Sequence, residues 1–490
     1  MKPFFLFILL IPFLVFTQTQ IGLDIDGEAT GDHSGHAVSL SNNGNFVAIG
    51  AYNNDGGINT NSGHVRVYEN QSGSWVQIGG DIDGEAALDG SGWSVSLSDD
   101  GSIVAIGAIG NDDNGSNSGH VRIYENQSGN WVQIGGDIDG EAIDDGSGYE
   151  LTLSGNGSIV AIGANGNDDN GDLSGHVRVY ENQSGSWVQI GSDINGEAAG
   201  DNSGVSIALS GDGSIIAIGA LGNDDIALNS GHVRVYENQS GTWTQVGTDI
   251  DGVAFVDQSG YSVSLSYSGT VVAVGAIGND DNGTDSGHVR VYENQTGSWI
   301  QIGADIDGEA AGDSSGFRVS LSNSGDLIAI GAPSNSGNGS FSGHVRIYQN
   351  QSGTWAQIGT DIDGEFSNDL SGSSVSLSSD GNTVAIGAVD NNGNGSNSGH
   401  VRVYDLSTVL SNDSFVLSEF NLYPNPVKEQ FTVQLSQGLE LQKINMYNSL
   451  GQFINSTKKN VVSTINLSQG FYFIEVVTNQ GKATKKIVIK

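Results

Sequence analysis

The sequence predicts an all-β protein whose main body is a seven-bladed β-propeller of four-stranded blades, closed into a ring by the N-terminal strand. Three observations carry this prediction. One unit recurs seven times, its SGHVR segment placing His64, His120, His176, His232, His288, His344 and His400 at a constant spacing of 56 residues. Each unit holds four strand signals and no helix signal. The last unit lacks its final strand, and the start of the chain carries the missing piece. A period of this length exceeds those of helical repeats and lies near that of propeller blades.

The chain has 490 residues, 17 Lys+Arg against 56 Asp+Glu, a formal net charge of -39, 74 Gly and no Cys. So acidic a balance excludes a nucleic-acid binder held by phosphate contacts and disfavours docking on anionic lipid. Without Cys there is no disulfide framework, thiolate nucleophile or Cys-ligated zinc. Met1 and Lys2 precede an apolar run over 4–16, and a polar stretch follows over 17–20. This reads as a secretory signal peptide, residues 1–17, cleaved after Thr17; a buried N-terminal strand or helix is the alternative. The run is shorter than the roughly 20 residues of a membrane span. The mature protein is expected outside the cell, secreted or attached to the surface, with no transmembrane helix.

The ring is expected over 18–404. In the second unit the four strands A to D fall at 95–98, 103–108, 120–124 and 131–134. VSLS and VRVY alternate at period two, VAIGA is a short apolar run, and SWVQIG is aromatic and β-branched. Asp100-Gly101 between A and B and NQSG between C and D are hairpin chemistry. A linear solenoid has shorter coils and needs capping repeats, and none is visible. After Tyr404 the SGSWVQIG strand is missing, while Gln20-Ile21-Gly22 and Asp24-Ile25-Asp26-Gly27 align with QIGxDIDG. Pairing these ends removes an open sheet edge.

The pattern SGxSVSLSxDGxxVAIGA…GHVRVY resembles the FG-GAP repeats of the integrin α-subunit propeller, across 20–404. In that family the A–B turn often holds a DxDxDG-like calcium loop. The corresponding turns read SDDGS, SGNGS, SGDGS, SYSGT and SNSGD. These do not supply the six to eight oxygens calcium takes, so that site is not carried over.

The charge changes character near residue 405. No lysine and eight arginines lie between Pro3 and Tyr404, whereas eight lysines against six acids follow from Asp405 onward. Residues 405–414 read as a linker. Residues 415–490 carry YPNP at 423–426, alternating segments at 431–435 and 443–447, and the closing LSQGFYFIEVVTNQGKATKKIVIK. This resembles the type A C-terminal sorting domain of the type IX secretion system. The resemblance implies a small β-sandwich, translocation across the outer membrane, and the secretion machinery as a partner. A plain immunoglobulin-like binding module is the alternative.

Strand alternation puts the A–B and C–D turns on one face of the disc and the B–C loops and D–A crossovers on the other. The acids fall on the second face: Asp81, Asp83, Glu85 and Asp89 in one crossover, Asp112 and Asp113 in a B–C loop. They serve solubility, attract a cationic partner, or hold a divalent cation such as Ca2+ through Asp81, Asp83, Asp112 and Asp113. On strand C the His, Arg and Tyr share one side. They are expected to make the same inter-blade hydrogen bonds in every unit, with Arg pairing to the DIDGE acids. The strand-D tryptophans are expected to serve core or rim packing rather than as a sugar platform.

The residue after the SG before strand A varies: His36, Trp93, Tyr149, Val205, Tyr261, Phe317 and Ser373. These ring the channel mouth on the acidic face. His36, Trp93, Tyr149, Tyr261 and Phe317 are the candidate ligand-binding residues, with drift at a tolerant position as the alternative. No GxSxG, HExxH or phosphate loop occurs, no catalytic residue is assigned, and Arg318 stands isolated. The expected function is a binding or adhesion module for an extracellular glycan or protein, not an enzyme. The alternative is an exported polysaccharide hydrolase or lyase with its site at the central channel.

Overall fold

Strand C is the spine of each blade, because it pairs on both edges. In blade 2 of the computed structural model, strands A (Ser94–Leu97), B (Ile103–Ala108), C (His120–Asn126) and D (Trp131–Gln133) form one antiparallel sheet in that order. The structure describes residues 18–490 except 57–59, 411–419, 436–438, 440, 449–452, 466 and 479–480; the expected signal peptide lies outside the described residues. A short fifth strand, Ile138–Asp139, was not anticipated. It pairs with the start of C, His120 opposite Asp139 and Val121 opposite Ile138. The QIGGDIDG segment is thus one outer edge broken in two, and Gly135 turns the chain at the break with φ +79°.

Six further sheets repeat this order, giving the seven blades. In blade 7 the outer edge comes from the start of the chain. Thr19 and Gln20 pair with Asp405 and Tyr404, and Ile25 and Asp26 pair with Val401 and His400. Ile25, Val401 and Val403 then share a core cluster with Leu40, Ile49 and Tyr68 of blade 1. The ring is closed by main-chain pairing and by apolar packing together.

The core lies between blades. Val65, Val67 and Ile82 of blade 1 pack on Val95, Val104, Ile106, Tyr124 and Trp131 of blade 2. Ile106 is 1% exposed, and truncation of such a side chain to Ala costs about 2–5 kcal/mol. Arg122 Nη1 lies 3.4 Å from Glu85 Oε1, the expected pairing with a DIDGE acid, and polar stitching through main-chain carbonyls adds to it. The Trp131 indole donates to the Ile78 carbonyl at 2.9 Å, and Arg122 Nη2 donates to the Asp83 carbonyl at 2.8 Å, both in the preceding blade. The VAIGA glycine has a steric reason, since a Cβ on Gly107 would lie 2.3 Å from the Gly148 carbonyl oxygen of the next blade.

The ring runs past Tyr404. Asp405 belongs to strand C of blade 7 (His400–Asp405), and buried Leu406 donates its N–H to the Asn382 carbonyl. These two residues, assigned to the linker from sequence, are part of the ring because their pairing partners are. The C-terminal unit has two sheets. One holds Phe420–Tyr423, Gln430–Leu435 and Val461–Ser463; the other holds Phe453–Thr457, Leu441–Asn448, Gly470–Thr478 and Gly481–Ile489. Phe420, Phe431, Ile444, Ile474 and Ile487 fill the core between them. Among the described residues no helix is long and apolar enough to cross a membrane.

Candidate functional site

Strand A is innermost in every sheet, so its residues line the channel. The position opposite the strand-B glycine shows where the sevenfold symmetry breaks. Four blades have serine there: Ser94, Ser206, Ser262 and Ser374 each donate to a glycine carbonyl of the next blade at 2.6–2.7 Å. Blade 1 has Ala37, but blade 3 has Glu150 and blade 6 has Arg318, opposite Gly163 and Gly331. Neither can reproduce the short serine bond, and both line a cavity of about 120 Å³ together with His36 and Trp93.

Burial pushes the Glu150 carboxyl up to about 7, with Arg318 opposing. Arg318 donates to the Phe317 carbonyl at 3.1 Å and lies 5.3 Å from that ring's centroid. Among the described residues no carboxylate lies within 4.0 Å of it. His36 Nδ1 lies 3.0 Å from the Trp93 carbonyl oxygen. A carbonyl only accepts, so Nδ1 carries the proton and donates. Burial first, and Arg318 second, bring the His36 pKa down to about 4, so the imidazole is neutral.

The five candidate binding residues fall into two groups at the mouth. His36 and Trp93 have ring centroids 4.6 Å apart, and Trp93 and Tyr149 5.7 Å apart. Tyr52 joins them, 4.6 Å from His36 and 5.0 Å from Trp93. On the other side Tyr261 and Phe317 pair at 5.0 Å. The small residues Val205 and Ser373 separate the groups. Sequence reasoning missed Tyr52 and Glu150 and set Arg318 aside. Tyr52 stands where the next two units have Ile109 and Asn165, so the same comparison of unit against unit could have found it. Beside the larger group opens a pocket of about 420 Å³, lined by Tyr52, Trp93 and Tyr149 and by Asn53, Asn61, Asn117 and Asp144.

The four acids expected to share a cation do not form one group. Asp113 lies with Glu85, His120 and Asp137. Asp81 acts instead on His64 in the preceding blade and accepts from Gln77 Nε2 at 2.7 Å. Asp83 is exposed on the strand that pairs with His64, and burial and then Asp81 raise its carboxyl above the usual range. Asp112 caps its own loop, accepting from the Asn117 N–H at 2.8 Å. The division follows from topology: each crossover pairs back onto the blade it leaves, so Asp81 and Asp113 serve neighbouring gaps. Asp89 is 3% exposed and accepts from the Ala86 N–H at 2.9 Å, so it is structural. The strand-C histidines also depart from expectation. Nε2 of His64, His120, His176, His232, His344 and His400 has no hydrogen-bond partner, so they do not stitch blades as the arginines do.

Two family models match separate parts of the chain. Residues 82–124 match the FG-GAP repeat family, and residues 421–490 match the secretion system C-terminal sorting domain. The chain is 34% identical over 89 residues to ulvan lyase NLR42 of Nonlabens ulvanivorans, a match spanning 17% of this chain and 16% of that protein. Two solved structures are similar at a TM-score of 0.46, each covering 67% of this chain and 85% of its own. They are a putative 6-phosphogluconolactonase from Bacteroides uniformis, 14% identical, and the periplasmic gluconolactonase PpgL of Pseudomonas aeruginosa, 15% identical. The chain is a β-propeller carrying a type IX sorting tail, which marks it for export to the surface or the medium.

Proposed function

We propose that the exported ring is a glycan-binding module that takes a neutral saccharide at the channel mouth of blades 1 to 3. The observation that carries this reading is the cluster of His36, Tyr52, Trp93 and Tyr149 beside an open pocket edged with asparagines and an aspartate. Aromatic faces take the apolar face of a sugar ring, and amides and carboxylates match its hydroxyls. A net charge of -39 repels polyanions, which favours an uncharged ligand. Probing a glycan array with the purified protein tests the reading, which predicts neutral oligosaccharide hits that weaken at least tenfold in Trp93→Ala. No neutral oligosaccharide hit, or hits unchanged in Trp93→Ala, would overturn it.

A second reading is an exported polysaccharide hydrolase or lyase. It rests on Glu150, held near neutral pKa, with neutral His36 and unpaired Arg318 in the same cavity. A carboxyl poised near 7 suits general acid–base work. The aromatic cluster instead borders the larger pocket of about 420 Å³, which lacks Glu150 and Arg318, and that supports binding over catalysis. Release of reducing ends or unsaturated products, lost in Glu150→Gln, would reverse this preference.

A further inference from the structure

The strand-C histidines raise a separate question. His120, His176 and His232 are each 0% exposed, and neither ring nitrogen of any of them has a hydrogen-bond partner. Leaving a buried polar atom unpaired costs about 1–3 kcal/mol, and the three blades repeat the arrangement. Each imidazole faces carboxylates from three segments. In blade 2 these are Glu85 from the incoming crossover, Asp113 from the B–C loop and Asp137 from the outgoing crossover. The equivalents are Glu141, Asp169 and Asp193 in blade 3, and Glu197, Asp225 and Asp249 in blade 4. In each set the candidate ligand atoms lie within 4.8 Å of one another.

The distances suit a shared ion better than direct bonds. His176 Nδ1 lies 3.9 Å from Glu141 Oε2, and His232 Nδ1 lies 4.0 Å from Glu197 Oε2 and 3.8 Å from Asp249 Oδ2. An N–H···O bond needs about 2.7–3.2 Å. Two ligands bound at about 2.1 Å to one tetrahedral ion sit about 3.4 Å apart, so these three pairs are about half an ångström wider than a bound ion would hold them, and every other pair in the sets lies within 4.8 Å.

Charge points the same way. Arg178 Nη1 takes the other oxygen of Glu141 at 3.5 Å, and Arg234 Nη1 that of Glu197 at 3.4 Å. The arginine fixes the glutamate and leaves Oε2 turned to the histidine. Three carboxylates, one guanidinium and a neutral imidazole sum to a charge of about -2, which a divalent ion cancels.

We infer that blades 2, 3 and 4 each bind one divalent transition-metal ion of the Zn2+ or Mn2+ kind, through the histidine of strand C and the three facing carboxylates. An imidazole nitrogen among carboxylates suits these ions, whereas calcium takes oxygens alone. The other blades lack one member of this set: in blade 5 Asp281, His288, Asp305 and Asp307 cluster without the glutamate, and in blade 7 Asp24, Glu365 and His400 cluster without a loop aspartate. Blade 5 has Val253 in place of the glutamate, and there Arg290 Nε turns onto Asp305 Oδ2 at 3.1 Å. Blades 1, 6 and 7 have Gly56, Gly337 and Gly393 in place of the loop aspartate, each donating its N–H to the Oδ1 of the asparagine two residues before it, as Asp113 does to Asn111.

The test uses the purified chain dialysed against Zn2+ or Mn2+ at fixed ionic strength, with bound metal counted by mass spectrometry. The comparison is the triple variant Asp113→Gly, Asp169→Gly, Asp225→Gly. Glycine already occupies that place in three blades, so the fold tolerates it, and circular dichroism checks this. The expected result is about three ions per wild-type chain and at least a tenfold loss of affinity in the variant. Pulsed EPR of bound Mn2+ should show coupling to an imidazole nitrogen. Fewer than two bound ions, unchanged binding in the triple variant, or absence of nitrogen coupling would each overturn the inference.

Discussion

Glu150 and Arg318 occupy one and the same place in the repeat, opposite the strand-B glycine, three blades apart in a ring of seven. That spacing sets them nearly across the channel from one another, as the two charged exceptions at a position where four blades have serine. Replacing Arg318 with Ser removes the charge that holds the Glu150 carboxyl down, so its pKa should rise above about 7. NMR titration of the glutamate carboxyl reads this directly.

The same group has a stability signature. Folded Glu150 keeps its proton up to about pH 7, while the unfolded chain loses it near the ordinary glutamate value of 4.5. Between these values the unfolded state binds fewer protons, so stability falls as pH rises from about 4.5 to 7. Glu150→Gln should abolish that fall and stabilise the ring by about 1–2 kcal/mol at pH 8, after screening by channel water. Urea midpoints at pH 5 and pH 8 check it; an equal change at both would contradict the assignment.

Ring closure rests on the N-terminal segment. Deleting residues 18–26 strips the outer edge from blade 7 and removes Ile25 from the blade 7–blade 1 core. A loss of several kcal/mol follows, and the melting temperature should drop by about 10 °C or more. A truncated protein that melts with the full-length one would refute closure.

Two tryptophans should behave oppositely toward ligand. Trp131→Phe loses the indole bond to the Ile78 carbonyl and should cost about 1 kcal/mol. It should leave ligand binding intact, because strand D is the outermost strand of the blade. Trp93→Ala should lose ligand binding, with a stability cost from its three lost ring contacts. Denaturant unfolding and binding measured on both variants separate the two roles.

Blade 5 is a natural variant of the Arg–Glu contact. With Val253 in place of the glutamate, Arg290 pairs with Asp305 instead. Glu85→Val should therefore redirect Arg122 toward Asp137, at a cost below about 1 kcal/mol for this exposed carboxylate. A crystal structure of the variant reads the new contact.

Most of the fold was legible in the sequence because repetition multiplies weak signals. A single VSLS or VRVY is ambiguous, but seven copies at fixed spacing leave one sheet order, and the incomplete last unit foretells how the ring closes. The broken outer strand escaped notice since two-residue pairing at Ile138–Asp139 has no alternation to read. At the channel mouth the variable column pointed to His36, Trp93, Tyr149, Tyr261 and Phe317. It did not show which of them touch, because that depends on ring orientation, nor that Tyr52, just past strand B, joins His36 and Trp93. The acid groupings were misjoined for a similar reason. Asp81 and Asp113 lie in one repeat by sequence but in neighbouring gaps by pairing. The histidines looked structural because a repeated residue ordinarily is, and only their unpaired buried nitrogens say otherwise.

Titration calorimetry of wild type and Trp93→Ala against a neutral oligosaccharide selected on the array tests the binding account most directly. Saturable binding at one site is expected in the wild type and at least a tenfold loss in the variant, with circular dichroism showing both proteins folded at the temperature of the titration. Equal affinity in the two proteins would contradict it.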